Sequence, residues 1–450
     1  MQPAARLYRP HIQALGARYD AALDACGFDA VLIGAGALIP VHRDDQDYPY
    51  RPEPLFLQWA ALQAHPGSAL LYRPGRKPLL LVYEPEDFWH QAAPVPKGPW
   101  HKALDIRVMR RRDEIGRHLP ARGRGRLRVA LLGDPVQWRG LSLSGTVNPR
   151  PLLTHLDYDR AFKTPWEIAC MQVATAMGLA GHRAVRQAFA AGCSEFEMGL
   201  MFLAATGQTD QELPYPAIVA VNRNGATLHY QHRDRHRLPN KDRHSLLLDA
   251  GCNCAGYASD ITRTYAARRG EFAGMVRDMD KAQQRLCQLV RPGVAFPELQ
   301  LAAHAEIAGL LARWDLVRMT PEQMVSQRVT DFFLPHGLGH LLGLQVHDVG
   351  GGLASHRGGE LARPKRFPRL RLTRPLAPGM VVTIEPGLYF IDSLLARLRK
   401  SRAGRRVNWR KVASLHRYGG IRIEDNVLVT ADGHRNLTRE LEIGRAGRPL

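Results

Sequence analysis

A chain of 450 residues is longer than one hydrophobic core usually organises, so its length predicts two domains. Apolar residues make up 45% of it but never form a run of the roughly eighteen residues that cross a bilayer, which excludes a helical membrane span. The first residues contain no hydrophobic signal core and the six cysteines are sparse, so we expect a soluble cytoplasmic protein with reduced thiols.

The formal net charge of +20 raises the question of a nucleic-acid partner. The basic residues are mostly arginines scattered through both halves, without an aromatic-interleaved stripe, a zinc finger or a helix-turn-helix pattern. We therefore predict a solvated basic surface and no nucleic-acid partner, with polyanion binding as the alternative. Cys252 and Cys254 form a C-x-C pair, which is a weak zinc signal without a second pair.

The N-terminal part has the pattern of an α/β domain. Residues 11–29 carry helical spacing, and the apolar run 30–41 that follows predicts a strand. Residues 68–84 predict two strands joined by a Pro-Gly turn, and residues 126–134 predict another buried strand. No phosphate-binding glycine loop follows any of these strands, so a dinucleotide site has no support.

A domain boundary is predicted near residues 150–165, which gives domains 1–158 and 159–450. Thr164, Pro165 and Glu167 form an N-cap, a first-turn proline and a capping box, so a long helix begins there. Ser194 and Glu197 form a second capping box. Capped helices then alternate with β-rich, glycine-punctuated stretches, which favours an α+β fold over a doubly wound parallel sheet.

Three histidines lie close together in the segment 334–350, LPHGLGHLLGLQVHDVG. His336, His340 and His347 are interleaved with glycines and aliphatic residues. Histidine is the commonest side-chain metal ligand and titrates near neutral pH, so the cluster predicts metal or proton chemistry. The alternative is a chance grouping of surface or core histidines.

Two aspartates flank a loop rich in Gly, Asn and Cys. A hairpin closing around Cys254 and Ala255 would place Asp249 and Asp260 opposite each other. Because like charges facing across a strand pair are unfavourable, a shared cation is a natural explanation. Two ordinary loop carboxylates remain the alternative.

Two glutamates lie within apolar strand patterns further along the chain. Glu385 ends the run MVVTIE, and Glu424 lies inside GGIRIEDNVLVT. Burying a carboxylate there costs several kcal/mol unless the group is paired or binds a metal. Four carboxylates and one imidazole suit two divalent ions of the Mn, Co or Zn type, which share a hydroxide, polarise a carbonyl and so give hydrolysis.

The ligand set resembles that of the dinuclear metallopeptidases of the pita-bread fold. Its members, in chain order, are Asp249, Asp260, His340, Glu385 and Glu424. The motifs LLDAG, GYASDITRT, PHGLGHLLGLQVHDVGG, TIEPGLYFIDSLLA and YGGIRIEDN resemble one branch, the bacterial Xaa-Pro dipeptidases or prolidases. The resemblance implies an α+β protein with a creatinase-like α/β N-terminal domain (1–158), for dimerisation and pocket closure, and a pita-bread catalytic domain (159–450).

The resemblance also implies how the metals are held. Asp249 would chelate one ion, Asp260 and Glu424 would bridge both, and His340 and Glu385 would hold the other. The expected cofactor is two divalent ions per subunit, Mn²⁺ first, with Co²⁺ or Zn²⁺ as alternatives.

Catalytic and substrate-binding roles follow from the same resemblance. His347 would contact substrate and stabilise the tetrahedral intermediate, with His336 as support and His229 as a further catalytic and substrate-binding histidine. Glu385 would transfer a proton to the leaving nitrogen. Arg371 would bind the proline carboxylate, which agrees with the planar guanidinium's ability to pair bidentately with a carboxylate.

The implied function is an Xaa-Pro dipeptidase, a homodimer that acts on dipeptides with C-terminal proline through the shared hydroxide. The resemblance also implies a side activity on organophosphate triesters, whose phosphorus the same hydroxide could attack. One alternative is an Xaa-Pro aminopeptidase acting on longer peptides. The other is a non-catalytic pita-bread module that binds nucleic acid or protein, a class that generally lacks metal ligands.

Overall fold

The structure of the protein is a computed structural model that describes residues 3–89, 95, 97–119 and 127–442. Two compact units make up the chain. The first comprises Met1–Cys170 with the short segments Cys254–Tyr257 and Leu353–Glu360. The second comprises Met171–Asn253, Ala258–Gly352 and Leu361–Leu450. The expected boundary after residue 158 stays a prediction.

The first unit contains a mixed sheet with helices. Its helices are α1 (Tyr8–Cys26), α2 (Pro54–Trp59), α3 (Trp100–Ala103), α4 (Ile115–His118) and α5 (Arg150–Arg160). Its six-stranded sheet contains β1 (Ala30–Gly34), β2 (Ala69–Tyr72), β3 (Leu79–Tyr83), β4 (Asp105–Met109), β5 (Val129–Leu132) and β6 (Thr146–Val147). The strand order is β4-β3-β2-β1-β5-β6, with β1 antiparallel to β2 and parallel to β5.

The predicted elements of this unit are present, with shorter strands than expected. The predicted helix 11–29 is α1, which ends where Gly27 adopts a left-handed conformation at φ 69°. The apolar run 30–41 forms a strand only as far as Gly34, and residues 68–84 form the antiparallel pair β2–β3. Residues 126–134 contain β5, although residue 126 lies outside the described residues. Leu32, Leu71 and Leu131 lie in the core beside this sheet.

Further helices follow along the chain. They are α6 (Pro165–Ala191), α7 (Glu195–Thr206), α8 (Glu271–Gln288), α9 (Phe296–Arg313), α10 (Pro321–Ser326), α11 (Asp392–Lys400), α12 (Trp409–Leu415) and α13 (Leu437–Glu442). Both predicted capping boxes are present. Glu167 accepts from the Thr164 backbone N–H at 2.7 Å, and the Ser194–Glu197 box is reciprocal.

The remaining strands form several small sheets. They are β7 (Ile218–Val221), β8 (Ser245–Asp249), β9 (Asn253–Cys254), β10 (Tyr257–Ala258), β11 (Thr262–Ala266), β12 (Leu353–Ser355), β13 (Gly358–Glu360), β14 (Val381–Ile384), β15 (Gly387–Tyr389), β16 (Gly420–Arg422), β17 (Asp425–Val429) and β18 (His434–Asn436). The second unit contains the sheets β11-β8-β7, β14-β17-β18 and β15-β16. Phe189, Phe202, Val219 and Leu248 pack in a core beside the first of these.

Within the part of the chain that the structure describes, no helix is long and apolar enough to cross a membrane. The six cysteines are free thiols, as predicted.

Candidate metal centre

The antiparallel strands β8 and β11 position the two aspartates. Asp249 ends β8, but its partner across the ladder is Thr262, so the expectation that it directly faces Asp260 is wrong. Asp260 lies two residues before Thr262, and residues two apart in an extended chain share a face, so the aspartates lie diagonally on the same side. The Tyr215 hydroxyl lies 2.8 Å from Asp249 Oδ1 and 2.5 Å from Asp260 Oδ1, which joins the two carboxylates.

The glycine-rich histidine segment lies along the edge of β14. Thr383 donates its N–H to the His340 carbonyl at 3.0 Å, and Glu385 donates to the Leu338 carbonyl at 2.8 Å. A Cβ at Gly339 would lie 1.9 Å from the Thr383 carbonyl oxygen, so only glycine permits this approach. The glycine between the histidines therefore brings His340 beside Glu385.

The His340 ring presents one nitrogen to the carboxylates. Its Nδ1 lies 3.0 Å from the Leu341 carbonyl, and donation to that oxygen leaves Nε2 with a free lone pair. Nε2 lies 3.5 Å from Asp260 Oδ2 and 3.9 Å from Glu385 Oε1. This is the orientation of an imidazole that shares a cation with carboxylates.

The two glutamates lie at the same end of a strand pair. Glu385 directly follows β14, and Glu424 lies between β16 and β17 instead of inside a strand. Because Ile384 pairs with Asp425 in the antiparallel ladder, the residues beyond that pair are neighbours. The Thr262 hydroxyl donates to Glu424 Oε2 at 2.7 Å.

Burial makes the ionised carboxylates costly. Desolvation raises the pKa of Asp249, raises that of Glu385 to about 7, and raises that of Glu424 well above its usual range. The charges of Asp260, Glu385 and Asp249 add to the effect at Glu424.

Ligand atoms of Asp260, His340 and Glu424 all lie within 4.8 Å of one another. Such a donor set, rich in oxygen and short of compensating cations, fits divalent metal ions.

A second layer of side chains orients the first. Arg422 donates to Asp249 Oδ2 at 2.6 Å and to the Tyr389 hydroxyl at 2.9 Å. That hydroxyl lies 2.8 Å from His336 Nε2, while His336 Nδ1 lies 2.8 Å from the Gly337 carbonyl. His336 thus accepts from Tyr389 and lies beside the centre.

Sequence analysis missed Tyr215, Tyr389 and Arg422. The spacing of Arg422 two residues before Glu424 in a strand pattern is a signal that could have revealed it, because both then point to one face. Tyr215 lies in a Pro-flanked stretch with no local pattern that connects it to the aspartates.

A cavity of about 540 Å³ opens onto the carboxylates, a size suited to a small ligand. Its lining includes all of the predicted residues: His229, Asp249, Asp260, His336, His340, His347, Arg371, Glu385 and Glu424. It also includes Arg363 and Arg369, which sequence analysis did not single out.

The His347 ring stands nearly perpendicular to that of His340, with centroids 4.5 Å apart. Burial, and then the neighbouring His340 and Arg371, lower the pKa of His347 to about 4. A neutral imidazole therefore faces the cavity near pH 7 and offers both a donor and an acceptor nitrogen.

Comparisons with known proteins match both parts of the chain to peptidases. The model of metallopeptidase family M24 matches residues 169–431, and that of the Xaa-Pro dipeptidase N-terminal domain matches residues 6–158. The Xaa-Pro dipeptidase of Aeromonas hydrophila subsp. hydrophila is 45% identical over 440 residues, with 98% of this chain and 99% of that one covered. The Xaa-Pro dipeptidase of Xanthomonas euvesicatoria pv. vesicatoria is 44% identical over 434 residues, with 96% and 97% covered.

Solved structures show the same fold. A structure of zinc-substituted Escherichia coli aminopeptidase P in complex with product matches with a TM-score of 0.71 at 22% identity, over 98% of this chain and 96% of that chain. The predicted α+β class with an N-terminal domain and a pita-bread catalytic domain is confirmed. The matched family implies a dinuclear centre of divalent ions, which the buried carboxylates and His340 fit. The chain belongs to metallopeptidase family M24.

Proposed function

We propose that this protein is an Xaa-Pro dipeptidase that hydrolyses the imide bond of dipeptides ending in proline. The observation that carries the proposal is the presence of Arg371 in the wall of the cavity that also contains the five metal-ligand candidates. A guanidinium there pairs with the free carboxylate of a C-terminal proline. Full-length similarity to proteins named Xaa-Pro dipeptidase supports the same substrate class.

We propose the following division among the ligands. Asp249 would help hold one ion, His340 and Glu385 would help hold the other, and Asp260 and Glu424 would contribute to both. Hard oxygen donors with one imidazole favour Mn²⁺, and Co²⁺ or Zn²⁺ suit the same set. When bound, the ions would make a water acidic enough to ionise at neutral pH and would polarise the scissile carbonyl.

The remaining steps belong to side chains of this chain. Arg371 orients the proline end of the substrate. His347, held beside His340, donates a hydrogen bond to the carbonyl oxygen as negative charge develops on it, and His229 lies on the same cavity wall. Glu385 carries a proton to the departing proline nitrogen. His336 supports the site by accepting a hydrogen bond from the Tyr389 hydroxyl, which in turn accepts one from Arg422.

Selection of proline follows from the substrate's chemistry. A tertiary amide has no N–H and has a restricted shape, so the cavity need not satisfy a donor at that nitrogen. The arginine requires a free carboxylate directly after the scissile bond. We therefore propose that longer peptides and amidated dipeptides are poor substrates, whereas the aminopeptidase alternative requires that tripeptides be cleaved.

We also propose a cytoplasmic homodimer with some activity on organophosphate triesters, which a metal-activated water can attack at phosphorus. The aromatic side chains of Phe88 and Trp89 are 87% and 78% exposed in the first unit. Exposed apolar side chains of this size support an interface there.

A substrate series tests the dipeptidase proposal. Chelator-treated protein is reloaded with Mn²⁺ and offered Gly-Pro, Gly-Pro-amide and Gly-Pro-Gly, with release of glycine as the measurement. Metal-dependent cleavage of Gly-Pro alone is the expected result. Comparable turnover of Gly-Pro-Gly would establish the aminopeptidase alternative, and no metal-dependent cleavage of any of the three would favour a non-catalytic module.

A further inference from the structure

The first unit contains a second group of metal-ligating side chains, which shares no residue with the carboxylate centre. His155 and Asp159 lie on α5, and His356 lies in the turn between β12 and β13. One ligand atom from each of the three lies within 4.8 Å of the other two. Two imidazoles and one carboxylate are thus brought together from parts of the chain about two hundred residues apart.

Local structure explains why these side chains converge. Residues four apart on a helix lie on one face, one turn apart, so His155 and Asp159 present their side chains together. The hairpin packs onto the same helix, because a Cβ at Gly358 would lie 3.5 Å from Thr154 Cγ2. Gly358 and Gly359, the first two residues of β13, have φ values of 93° and 81°, so the chain directly after the turn that presents His356 adopts a backbone conformation suited to glycine.

The contacts within the group are those of side chains able to share a cation. His356 Nε2 lies 2.8 Å from Asp159 Oδ1, and the rings of His155 and His356 have centroids 4.4 Å apart. Burial, and then the nearby His356, lower the pKa of His155, whereas Asp159 acts in the opposite direction.

The geometry leaves room for a metal to arrive from solvent. The side chain of His356 is 45% exposed, whereas that of Asp159 is 16% exposed. The group is thus accessible on one side and held by the fold on the other.

We propose that His155, Asp159 and His356 bind one divalent transition-metal ion of the Zn²⁺ type. Two neutral nitrogens and one carboxylate oxygen are the ligands that zinc accepts, with water in the fourth position. Calcium and magnesium prefer all-oxygen sites, so the imidazoles select against them. The ion joins the hairpin to α5 and stabilises the first unit, because it binds the folded chain more tightly than the unfolded one.

The alternative is that His356 and Asp159 form only a hydrogen-bonded pair and bind no metal. A His356–Asp159 contact at the surface contributes little by itself and needs no second imidazole. The presence of His155 on the same face, with its ring centroid 4.4 Å from that of His356, is what the ion-pair explanation leaves without a role.

Zinc binding to full-length variants tests the proposal. The parent protein carries Asp249→Asn and Asp260→Asn, which weaken the carboxylate centre. Equilibrium dialysis against Zn²⁺ alone, followed by elemental analysis, gives the number of ions per chain. We expect His356→Gln and Asp159→Asn each to lower that number by one, with an affinity loss of more than about tenfold at the lost site. The matched control is His42→Gln, which changes an exposed histidine of the same unit outside this group and leaves the number unchanged.

A second readout separates this site from catalysis. In the otherwise unchanged protein, Zn²⁺ raises the thermal midpoint less in the His356→Gln variant than in the His42→Gln variant, while Mn²⁺-supported hydrolysis of Gly-Pro is the same in both. Equal zinc stoichiometry in the His356→Gln variant and its parent would overturn the proposal. That result would leave the dipeptidase proposal untouched, because none of these three residues lines the catalytic cavity.

Discussion

Glu424 and Asp425 are neighbours in the chain and are equally buried, at 2% and 0% exposure, yet their surroundings shift their pKa values in opposite directions. Adjacent residues of an extended segment point to opposite faces, so each carboxylate enters a different environment. One faces the cavity with the other acidic ligands. The other faces the packed interior of the same unit.

Asp425 is compensated by the protein itself. Arg263 donates to its Oδ1 at 2.8 Å, and Arg439 and Asn436 donate to its Oδ2 at 2.7 and 2.9 Å. Burial raises its pKa, but the two guanidinium groups outweigh burial and hold the pKa well below the usual range. This carboxylate is ionised and fully paired, which is the pattern of a structural ion network.

Glu424 is not compensated in this way, because burial and neighbouring carboxylates outweigh the effect of Arg422 and raise its pKa. It accepts a hydrogen bond from the Thr262 hydroxyl, and its charged neighbours include the carboxylates of Asp260 and Glu385. A folded chain tolerates this arrangement when an external cation supplies the missing charge. Burial alone therefore does not identify a carboxylate as a metal ligand. The identifying feature is a buried carboxylate whose neighbours are other carboxylates.

The largest effect is expected from Glu424→Gln, which keeps the shape of the side chain and removes its charge. We expect kcat/KM for Gly-Pro to fall on the order of 10³-fold, about 4 kcal/mol, with the unfolding free energy preserved. Steady-state kinetics at saturating Mn²⁺ and urea denaturation measure the two quantities. The control is Glu298→Gln at an exposed position of α9. A fully active Glu424→Gln protein would contradict the assignment of Glu424 as a metal ligand in contrast to Asp425.

Asp425→Asn is expected to lower stability and to affect activity much less. Removal of the buried charge leaves Arg263 and Arg439 partly unpaired, so the free energy of unfolding should fall by about 3–5 kcal/mol. Activity per folded molecule should change much less than with Glu424→Gln. Urea denaturation beside the exposed control Asp432→Asn measures the loss. A stable but inactive variant would show that Asp425 belongs to the chemistry instead.

Arg371→Met tests the one cation that we assign to substrate and not to a protein carboxylate. We expect kcat/KM for Gly-Pro to fall about 10- to 100-fold, mainly through KM, as for loss of a hydrogen bond to a charged group. Arg371→Lys should retain only part of the kcat/KM lost in Arg371→Met, because an ammonium cannot pair bidentately with a carboxylate. Arg402→Met, at an exposed arginine, serves as the control. An unchanged KM in both Arg371 variants would contradict the assignment.

Metal removal should have the smallest effect, a modest loss of thermal stability that depends on pH. In chelated protein the pKa of Glu385 is raised to about 7 from an ordinary 4.5, so the folded state binds this proton more tightly than the unfolded chain. Its stabilising contribution is therefore fully present below about pH 4.5 and is lost as pH rises through 7. Thermal melts at pH 5 and pH 8, with and without Mn²⁺, should show a larger metal-dependent shift at pH 8. A larger shift at pH 5 would contradict the expectation.

Much of the site could be predicted because the residues that carry its chemistry occur in short local motifs. The five candidate ligands occur in short segments whose residue types point to metal binding, the resemblance to prolidases adds His347 and Arg371, and all of them line one cavity. The capping boxes at Thr164 and Ser194 and the β2–β3 pair likewise depend on neighbouring residues only.

Tertiary structure decided what no local pattern contains. The register of β8 with β11 sets Asp249 opposite Thr262 instead of Asp260, and it depends on packing along the whole strand pair. Tyr215 and Arg422 reach Asp249 from positions distant in the chain. His356 reaches α5 in the same way.

The sequence by itself determined which groups are present, which residues share a face of a strand or helix, and to which family the chain belongs. Only the folded structure decided that Asp425 meets two guanidinium groups while Glu424 meets other carboxylates. The physical reason is that backbone periodicity assigns a side chain to a face, whereas the charge it meets there comes from residues brought to it by long-range packing.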